Sequence, residues 1–175
     1  MSKKTPPRKV PNRDEKYMGA AFIEASFSKD PNTQNGAVIV THQNCPLGRG
    51  YNGPPAQYND QDVDWSRPAK YKDIIHAEIN AIDHSDREKL SGATIYTTGK
   101  PCANCMLHIV KAGISRVIYF NGKYHDAGSM HQDKKGSEEA DQIAQQGRVM
   151  VQEFRGNLNW LRDRIKQLEQ MGVFK

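Results

Sequence analysis

The sequence predicts a single α/β domain in which helices cover both faces of a central sheet of about five strands. The length of 175 residues is about that of one globular domain. Short β-branched runs alternate with segments of helical periodicity, which is typical of a three-layer α/β/α architecture. The longest apolar run is only about five residues, whereas a membrane span needs roughly 20. We therefore expect no membrane association.

The positive charge of the chain is concentrated at its N-terminus. Residues 1–11 are Pro-rich and predict a flexible basic arm, and residues 12–175 predict the folded domain. The arm has no acid and four basic residues, Lys3, Lys4, Arg8 and Lys9. Of the net charge of +5, this leaves 5 − 4 = +1 for the rest. Strong nucleic-acid binding needs several cations on the folded surface, so we expect no nucleic-acid partner.

The first elements are a helix and two strands. A helix is predicted from Asn12, because Asp14 and Glu15 would occupy its first turn, where the helix dipole favours acids. Its apolar stripe consists of Tyr17, Met18, Ala21, Phe22 and Ala25. Residues 36–41 form a β-branched run that predicts a central strand, and residues 47–51 predict a second strand after a turn.

The middle of the chain contains a long loop and two further helices. Residues 52–69 are rich in Gly, Pro and Asn and predict a loop, and long loops are often functional. Residues 74–84 predict a helix and residues 93–97 a strand. Residues 102–112 predict another helix, which Gly113 would end.

The last third of the chain continues the same alternation. Residues 116–120 predict a strand, and residues 121–136 a polar loop. A short helix is predicted to begin at Ser137, followed by a strand at 149–154. Residues 157–170 predict a final helix whose apolar face consists of Leu158, Leu161, Ile165 and Leu168.

Two short motifs point to a metal. They are His76-Ala77-Glu78 and Pro101-Cys102-Ala103-Asn104-Cys105. Zinc prefers nitrogen and sulfur ligands in a tetrahedral arrangement. His76, Cys102 and Cys105 supply three ligands, and three protein ligands with one open position are typical of a catalytic zinc.

The other thiol and histidines fit a ligand role less well. Cys45 lies in a predicted turn, and we interpret it as an ordinary small residue. The remaining histidines, none with comparable spacing, are His42, His84, His108, His125 and His131. Three cysteines without an export signal favour reduced thiols and a cytoplasmic protein.

Glu78 is the candidate catalytic residue. A zinc ion lowers the pKa of a bound water toward about 7. Since Glu78 is two residues from His76, its carboxylate can reach such a water without binding the metal, and can then pass the proton on.

The combination of His-x-Glu with Pro-Cys-x-x-Cys resembles the signature of zinc-dependent nucleoside and nucleotide deaminases. Within that superfamily the chain is similar to deoxycytidylate (dCMP) deaminases. The further matching segments are residues 28–34, 36–40, 50–53, 76–82, 113–114 and 123–126. Two positions depart from the family pattern: Asn35 replaces a common Val, and Pro54 replaces a common Met.

The resemblance implies a cytidine-deaminase-like fold with a mixed sheet, and hydrolysis of dCMP to dUMP and ammonia, which supplies dUMP for thymidylate synthesis. Water would attack C4 of cytosine while Glu78 carries protons to N3 and to the departing amine. For the base and sugar, the candidates are Asn32, Thr33, Asn35 and the Ala77 backbone. For the 5′-phosphate, they are Lys29, Tyr124 and His125.

The resemblance also implies an assembly and its regulation. Many family members are homohexamers that dCTP activates and dTTP inhibits, and the segment Gly50-Tyr51-Asn52-Gly53 matches their regulatory loop. We expect one catalytic zinc per subunit, and Mg²⁺ together with any regulatory triphosphate. An Asn-Gly pair is also common in a simple β-turn.

Three other interpretations remain open at this point. A tRNA adenosine deaminase, or another nucleoside or nucleotide deaminase, shares both zinc motifs, and the basic arm would suit RNA. A zinc-stabilised nucleic-acid-binding module would need a fourth protein ligand and a basic folded surface. An inactive subunit with a deaminase fold would not need an intact Glu78.

Overall fold

A computed structural model of the protein describes residues 8–122 and 134–174. Within these residues the helices are α1 (Arg13–Ala25), α2 (Ala77–Asp83), α3 (Ala103–Lys111), α4 (Lys134–Gln146) and α5 (Asn159–Gln170). The strands are β1 (Gly36–Val40), β2 (Pro46–Tyr51), β3 (Thr94–Thr97), β4 (Arg116–Tyr119) and β5 (Met150–Glu153). No helix in the described part is long and apolar enough to cross a membrane.

The described strands form one mixed sheet in the order β2-β1-β3-β4-β5. Strand β1 is antiparallel to both β2 and β3, whereas β3, β4 and β5 are parallel. The pairing of Ala37 with Thr97 places the start of β1 and the end of β3 at the same edge of the sheet. The predicted fold class, a three-layer α/β/α domain with a mixed five-stranded sheet, is confirmed.

Alternating side chains of the central strands build two separate cores, as the two-residue period of a strand requires. On one face, Ile39 and Ile95 pack with residues of α2, α3 and α4. On the other face, Val38 and Tyr96 pack with α1 and with Leu158, at the start of α5. The sheet is therefore covered on both sides, which agrees with the continuous burial of β1 and β3.

Local sequence signals explain where several elements begin and end. The side chain of Asn12 accepts a hydrogen bond from the Glu15 N–H, and Glu15 accepts one from the Asn12 N–H, which is a capping box at the start of α1. Gly113 follows α3 with φ of 75°, a left-handed conformation that favours glycine.

The predicted start of α2 at residue 74 is wrong, because the helix begins at Ala77. Ile75 instead exchanges two backbone hydrogen bonds with Gly53, and these hold the chain extended up to His76. Helix α4 begins at Lys134, three residues before the predicted Ser137. In α5 the predicted apolar face is only partly covered, since Ile165 is 48% exposed.

Candidate active site

Three potential metal ligands meet where α2 and α3 begin. His76 is the N-cap of α2 and Cys102 is the N-cap of α3, and Cys105 lies one turn into α3. The His76 Nδ1 atom is 3.6 Å from the Cys102 sulfur and 3.3 Å from the Cys105 sulfur. All three ligand atoms lie within 4.8 Å of one another. Among the described residues, this is the cluster of this kind that could hold a metal ion.

The spacing of these atoms fits zinc. Bonds of about 2.0–2.3 Å in a tetrahedral site place ligand atoms roughly 3.5–3.8 Å apart, close to the two distances found here. The Cys45 side chain is exposed in the β1–β2 hairpin and is not part of the group. Among the described residues the group therefore has three ligands, which is the ligand number of a catalytic zinc.

The pKa values of the two thiols are shifted in opposite directions. A hydrogen bond from Cys105, assisted by His76, lowers the pKa of Cys102 to about 3. The same bond between the two sulfurs, together with burial, raises the pKa of Cys105. The bond to Cys102 raises the pKa of His76. Metal binding would displace the protons that remain on this group, because a metal binds the thiolate and the neutral imidazole.

Glu78 lies beside this group without joining it. It is in the first turn of α2, is 8% exposed, and its carboxylate contacts the Cys105 thiol. Burial raises the pKa of the Glu78 carboxyl, although the neighbouring His76 opposes the shift. A buried carboxyl group whose pKa is raised is more readily protonated and can serve as both proton acceptor and proton donor.

These side chains lie at a pocket that is also lined by residues of the surrounding loops. His76, Glu78 and Cys102 line it on one side. The polar residues that line the remainder include Asp30, Thr33, Asn35, Asn52, Arg67, Lys70, Tyr71, Thr98 and Lys100. The pocket opens at the edge of the sheet where β1 begins and β3 ends.

The predicted base-binding and sugar-binding residues lie in different places. Thr33, Asn35 and Ala77 line the pocket. The Asn35 Oδ1 atom accepts a hydrogen bond from the Thr98 hydroxyl at 3.2 Å. Asn32 is outside the pocket lining, and its side chain donates to the Trp65 carbonyl at 3.4 Å.

The predicted phosphate-binding residues are not assembled in the described part of the pocket. Lys29 forms an ion pair with Asp60 at the surface and does not line the pocket. Tyr124 and His125 lie outside the described residues.

The loop predicted to bind a regulatory nucleotide is packed against the site. A Cβ atom on Gly50 would lie 2.6 Å from the Ala77 carbonyl, so β2 approaches α2 closely. Asn52 is buried and accepts a hydrogen bond from the Asn35 N–H at 2.7 Å. The Tyr51 ring is partly exposed and faces Phe27, with the ring centres 6.2 Å apart. Gly53 pairs with Ile75, next to His76.

Sequence reasoning missed a buried ion pair in the pocket wall. The Lys70 Nζ atom lies 2.6 and 2.8 Å from the two oxygens of Asp30, and both side chains are almost fully buried. Asp30 also accepts hydrogen bonds from the backbone of Asn32 and Thr33. The partners are 40 residues apart, and Lys70 lies in a region without periodicity, so no local pattern reveals the pair.

The fold and the donor set together define a zinc-binding enzyme of the α/β class. The chain belongs to the cytidine and deoxycytidylate deaminase family: residues 11–121 match the family's zinc-binding region.

The chain is also similar to two curated relatives. The chain is 41% identical to deoxycytidylate deaminase of Homo sapiens over 119 residues, which are 65% of this chain and 67% of the human protein. It is also 41% identical to deoxycytidylate deaminase of Pongo abelii over 119 residues, with the same coverage of 65% and 67%.

A solved structure shows the same fold. The dCMP deaminase of cyanophage S-TIM5, crystallised in complex with dCMP and dUMP, superimposes with a TM-score of 0.62. The match covers 84% of this chain and 100% of the phage chain at 23% identity.

Proposed function

We propose that the protein is a deoxycytidylate deaminase that hydrolyses dCMP to dUMP and ammonia. The observation that carries this proposal is the buried Glu78 carboxyl beside the His76, Cys102 and Cys105 group, in one pocket that is open to a ligand. The relatives named deoxycytidylate deaminase support dCMP as the substrate. The product would supply dUMP for thymidylate synthesis.

His76, Cys102 and Cys105 would hold one zinc ion per subunit. When bound, zinc supplies Lewis acidity that makes water a nucleophile at neutral pH. The N–H groups at the start of α3 favour the thiolate form of its N-cap Cys102, because a helix N-terminus stabilises negative charge.

Glu78 moves the protons of the reaction. Its carboxylate takes a proton from the attacking water and delivers it to N3 of cytosine as the C4–O bond forms. It then transfers the second water proton to the amine, the C4–N bond breaks, and ammonia leaves. Burial raises the pKa of Glu78, which suits a group that must alternate between acid and base.

The residues that line the pocket indicate which side chains would recognise the substrate. Thr33, Asn35 and the Ala77 backbone would contact the base and the sugar, since all three residues line the pocket. Asn32 would contribute to substrate binding through its position in the loop, where its backbone N–H donates a hydrogen bond to Asp30. For the phosphate, Lys29, Tyr124 and His125 remain predictions from the family motifs.

Regulation would act through the Gly50-Tyr51-Asn52-Gly53 loop, with dCTP and Mg²⁺ as activator and dTTP as inhibitor. The loop contacts the site through the Asn52–Asn35 hydrogen bond and through the Gly53–Ile75 pairing. We propose a cytoplasmic homohexamer in which residues 12–175 form the catalytic domain of each subunit.

The substrate proposal is tested by ammonia release from the purified protein with its zinc content measured. The substrates to compare are dCMP, CMP, deoxycytidine, dCTP and a tRNA anticodon stem-loop. We expect dCMP to react fastest by a wide margin. Faster reaction of the stem-loop would identify a tRNA deaminase, and faster reaction of deoxycytidine would identify a nucleoside deaminase. Adding dCTP and dTTP to the dCMP assay tests regulation, which an unchanged rate with both would exclude.

A further inference from the structure

Among the described residues, three lysine and arginine side chains line the pocket, and the charges of two of them are already neutralised. Lys70 is held by both carboxylate oxygens of Asp30. The Lys100 Nζ atom lies 2.8 Å from a carboxylate oxygen of Asp141 and also donates to a hydroxyl group on α4. Neither lysine therefore offers a free charge to an anionic ligand.

Arg67 is the third cation, and it differs from the two lysines. Within residues 8–122 and 134–174 it forms no ion pair. Its Nη2 atom donates a hydrogen bond to the Thr33 hydroxyl at 2.9 Å. Its Nε atom is buried and has no hydrogen-bond partner in the described structure. A buried donor without an acceptor is unfavourable and rare in folded proteins.

The Thr33 contact orients the Arg67 side chain toward the ligand space. Thr33 lines the same pocket, and its backbone N–H is anchored by Asp30, which in turn is fixed by Lys70. The Asp30–Lys70 pair therefore fixes the position of Thr33, which Arg67 contacts, and does not bind the ligand itself.

We propose that Arg67 binds the 5′-phosphate of the substrate nucleotide. The inference rests on the proposed function, since it assigns a residue to the phosphate of dCMP. A guanidinium group matches the geometry of a phosphate and can donate two parallel hydrogen bonds to it. A turn of the side chain toward the phosphate would also give the buried Nε atom the acceptor that it lacks. Arg67 is not part of any of the motif segments that resemble the family, and those segments point instead to Lys29, Tyr124 and His125 for the phosphate.

The test compares dCMP with deoxycytidine in the Arg67→Gln variant. Hydrogen bonds to charged groups contribute amounts that correspond to roughly 10- to 150-fold in kcat/KM. We expect a loss of that size for dCMP and an unchanged kcat/KM for deoxycytidine, which has no phosphate. The Arg67→Lys variant keeps a positive charge and should lose less. Arg87→Gln removes an exposed arginine outside the pocket and should leave both substrates unaffected.

Several results would overturn the assignment. An equal loss for both substrates would show that Arg67 only supports the loop, and an unchanged preference for dCMP would place the phosphate elsewhere. Calorimetric binding of dUMP and deoxyuridine gives a second measure that needs no turnover, and the variant should lose affinity for dUMP alone. If the wild-type protein prefers dCMP and the variant keeps that preference, only the role of Arg67 fails. If the wild-type protein does not deaminate dCMP, both proposals fail.

Discussion

Residues that lie close together at this site have different roles. His76 and Glu78 are two positions apart, yet the His76 ring faces the two sulfurs while the Glu78 carboxyl stays outside the ligand group. Short sequence motifs can predict the His76, Cys102 and Cys105 group, because each of its members lies at or near the start of a helix. Arg67 and the Asp30–Lys70 pair could not be predicted, because their partners are 34 and 40 residues away in sequence.

The role of Glu78 makes a sharp prediction. The Glu78→Gln variant has nearly the same size but cannot accept a proton, so kcat should fall by about 10²–10⁴-fold. Its zinc content, measured by atomic emission, should stay at one ion per subunit because Glu78 is not a ligand. Glu88→Gln changes an exposed glutamate in a 3₁₀ turn and should keep full activity. Loss of zinc from Glu78→Gln would refute the assigned role.

The buried Asp30–Lys70 pair should dominate the stability of the loop around the pocket. Lys70→Met leaves the Asp30 carboxylate buried without a counter-ion, which costs about 3–5 kcal/mol in comparable cases. The loss should appear as a lower urea midpoint. Lys89→Met breaks an exposed ion pair with Asp86 and should have almost no effect. Equal effects of the two changes on the urea midpoint would show that the buried ion pair contributes no more to stability than the exposed one.

At the scale of elements, the site depends on how β2 and α2 pack. The start of α2 could not be predicted from hydrophobic periodicity, because Ile74 and Ile75 continue the apolar pattern of the helix although Ile75 pairs with Gly53. The strands were easier to predict, since β1 and β3 are short β-branched runs that are buried throughout. The backbone pairing of Ile75 with Gly53, which is distant in sequence, therefore sets the position at which α2 begins.

Gly50 should be essential to this packing. In Gly50→Ala the new methyl group would lie 2.5 Å from the Ala81 nitrogen and 2.6 Å from the Ala77 carbonyl, where backbone atoms cannot move aside independently. We expect a loss of about 1–3 kcal/mol in unfolding free energy and lower activity without any effector. Gly53→Ala is a matched control for stability, because its nearest neighbour is 3.9 Å away. A Gly50→Ala variant as stable as Gly53→Ala would contradict the packing.

At the scale of the whole molecule, the His76, Cys102 and Cys105 group brings together the starts of two helices. His76 is the N-cap of α2, Cys102 is the N-cap of α3, and Cys105 lies in the first turn of α3. The chain is only 37% hydrophobic, with mean hydropathy −0.80, so a bound ion would add to the stability of a modest core. Composition does predict one domain and a nearly neutral folded part, but it carries no information about which helices meet.

Zinc removal should therefore destabilise the protein. A ligand at 1,000 times its dissociation constant stabilises the folded state by about 4 kcal/mol. For a chain of this size, that corresponds to a fall in Tm of roughly 8–16 °C after chelation. Calorimetry should show recovery when zinc is restored, but none when Mg²⁺ is added. The same Tm before and after complete removal of zinc would exclude a link between the metal and the fold.

The central claim is that this site hydrolyses dCMP at C4, and one isotope measurement tests it most directly. The zinc-loaded protein is incubated with dCMP in H₂¹⁸O, and the nucleotide product is analysed by mass spectrometry. We predict dUMP that carries one ¹⁸O atom at C4, with one ammonia released per dUMP formed. Absence of dUMP, or dUMP without ¹⁸O, would contradict hydrolytic deamination at this site.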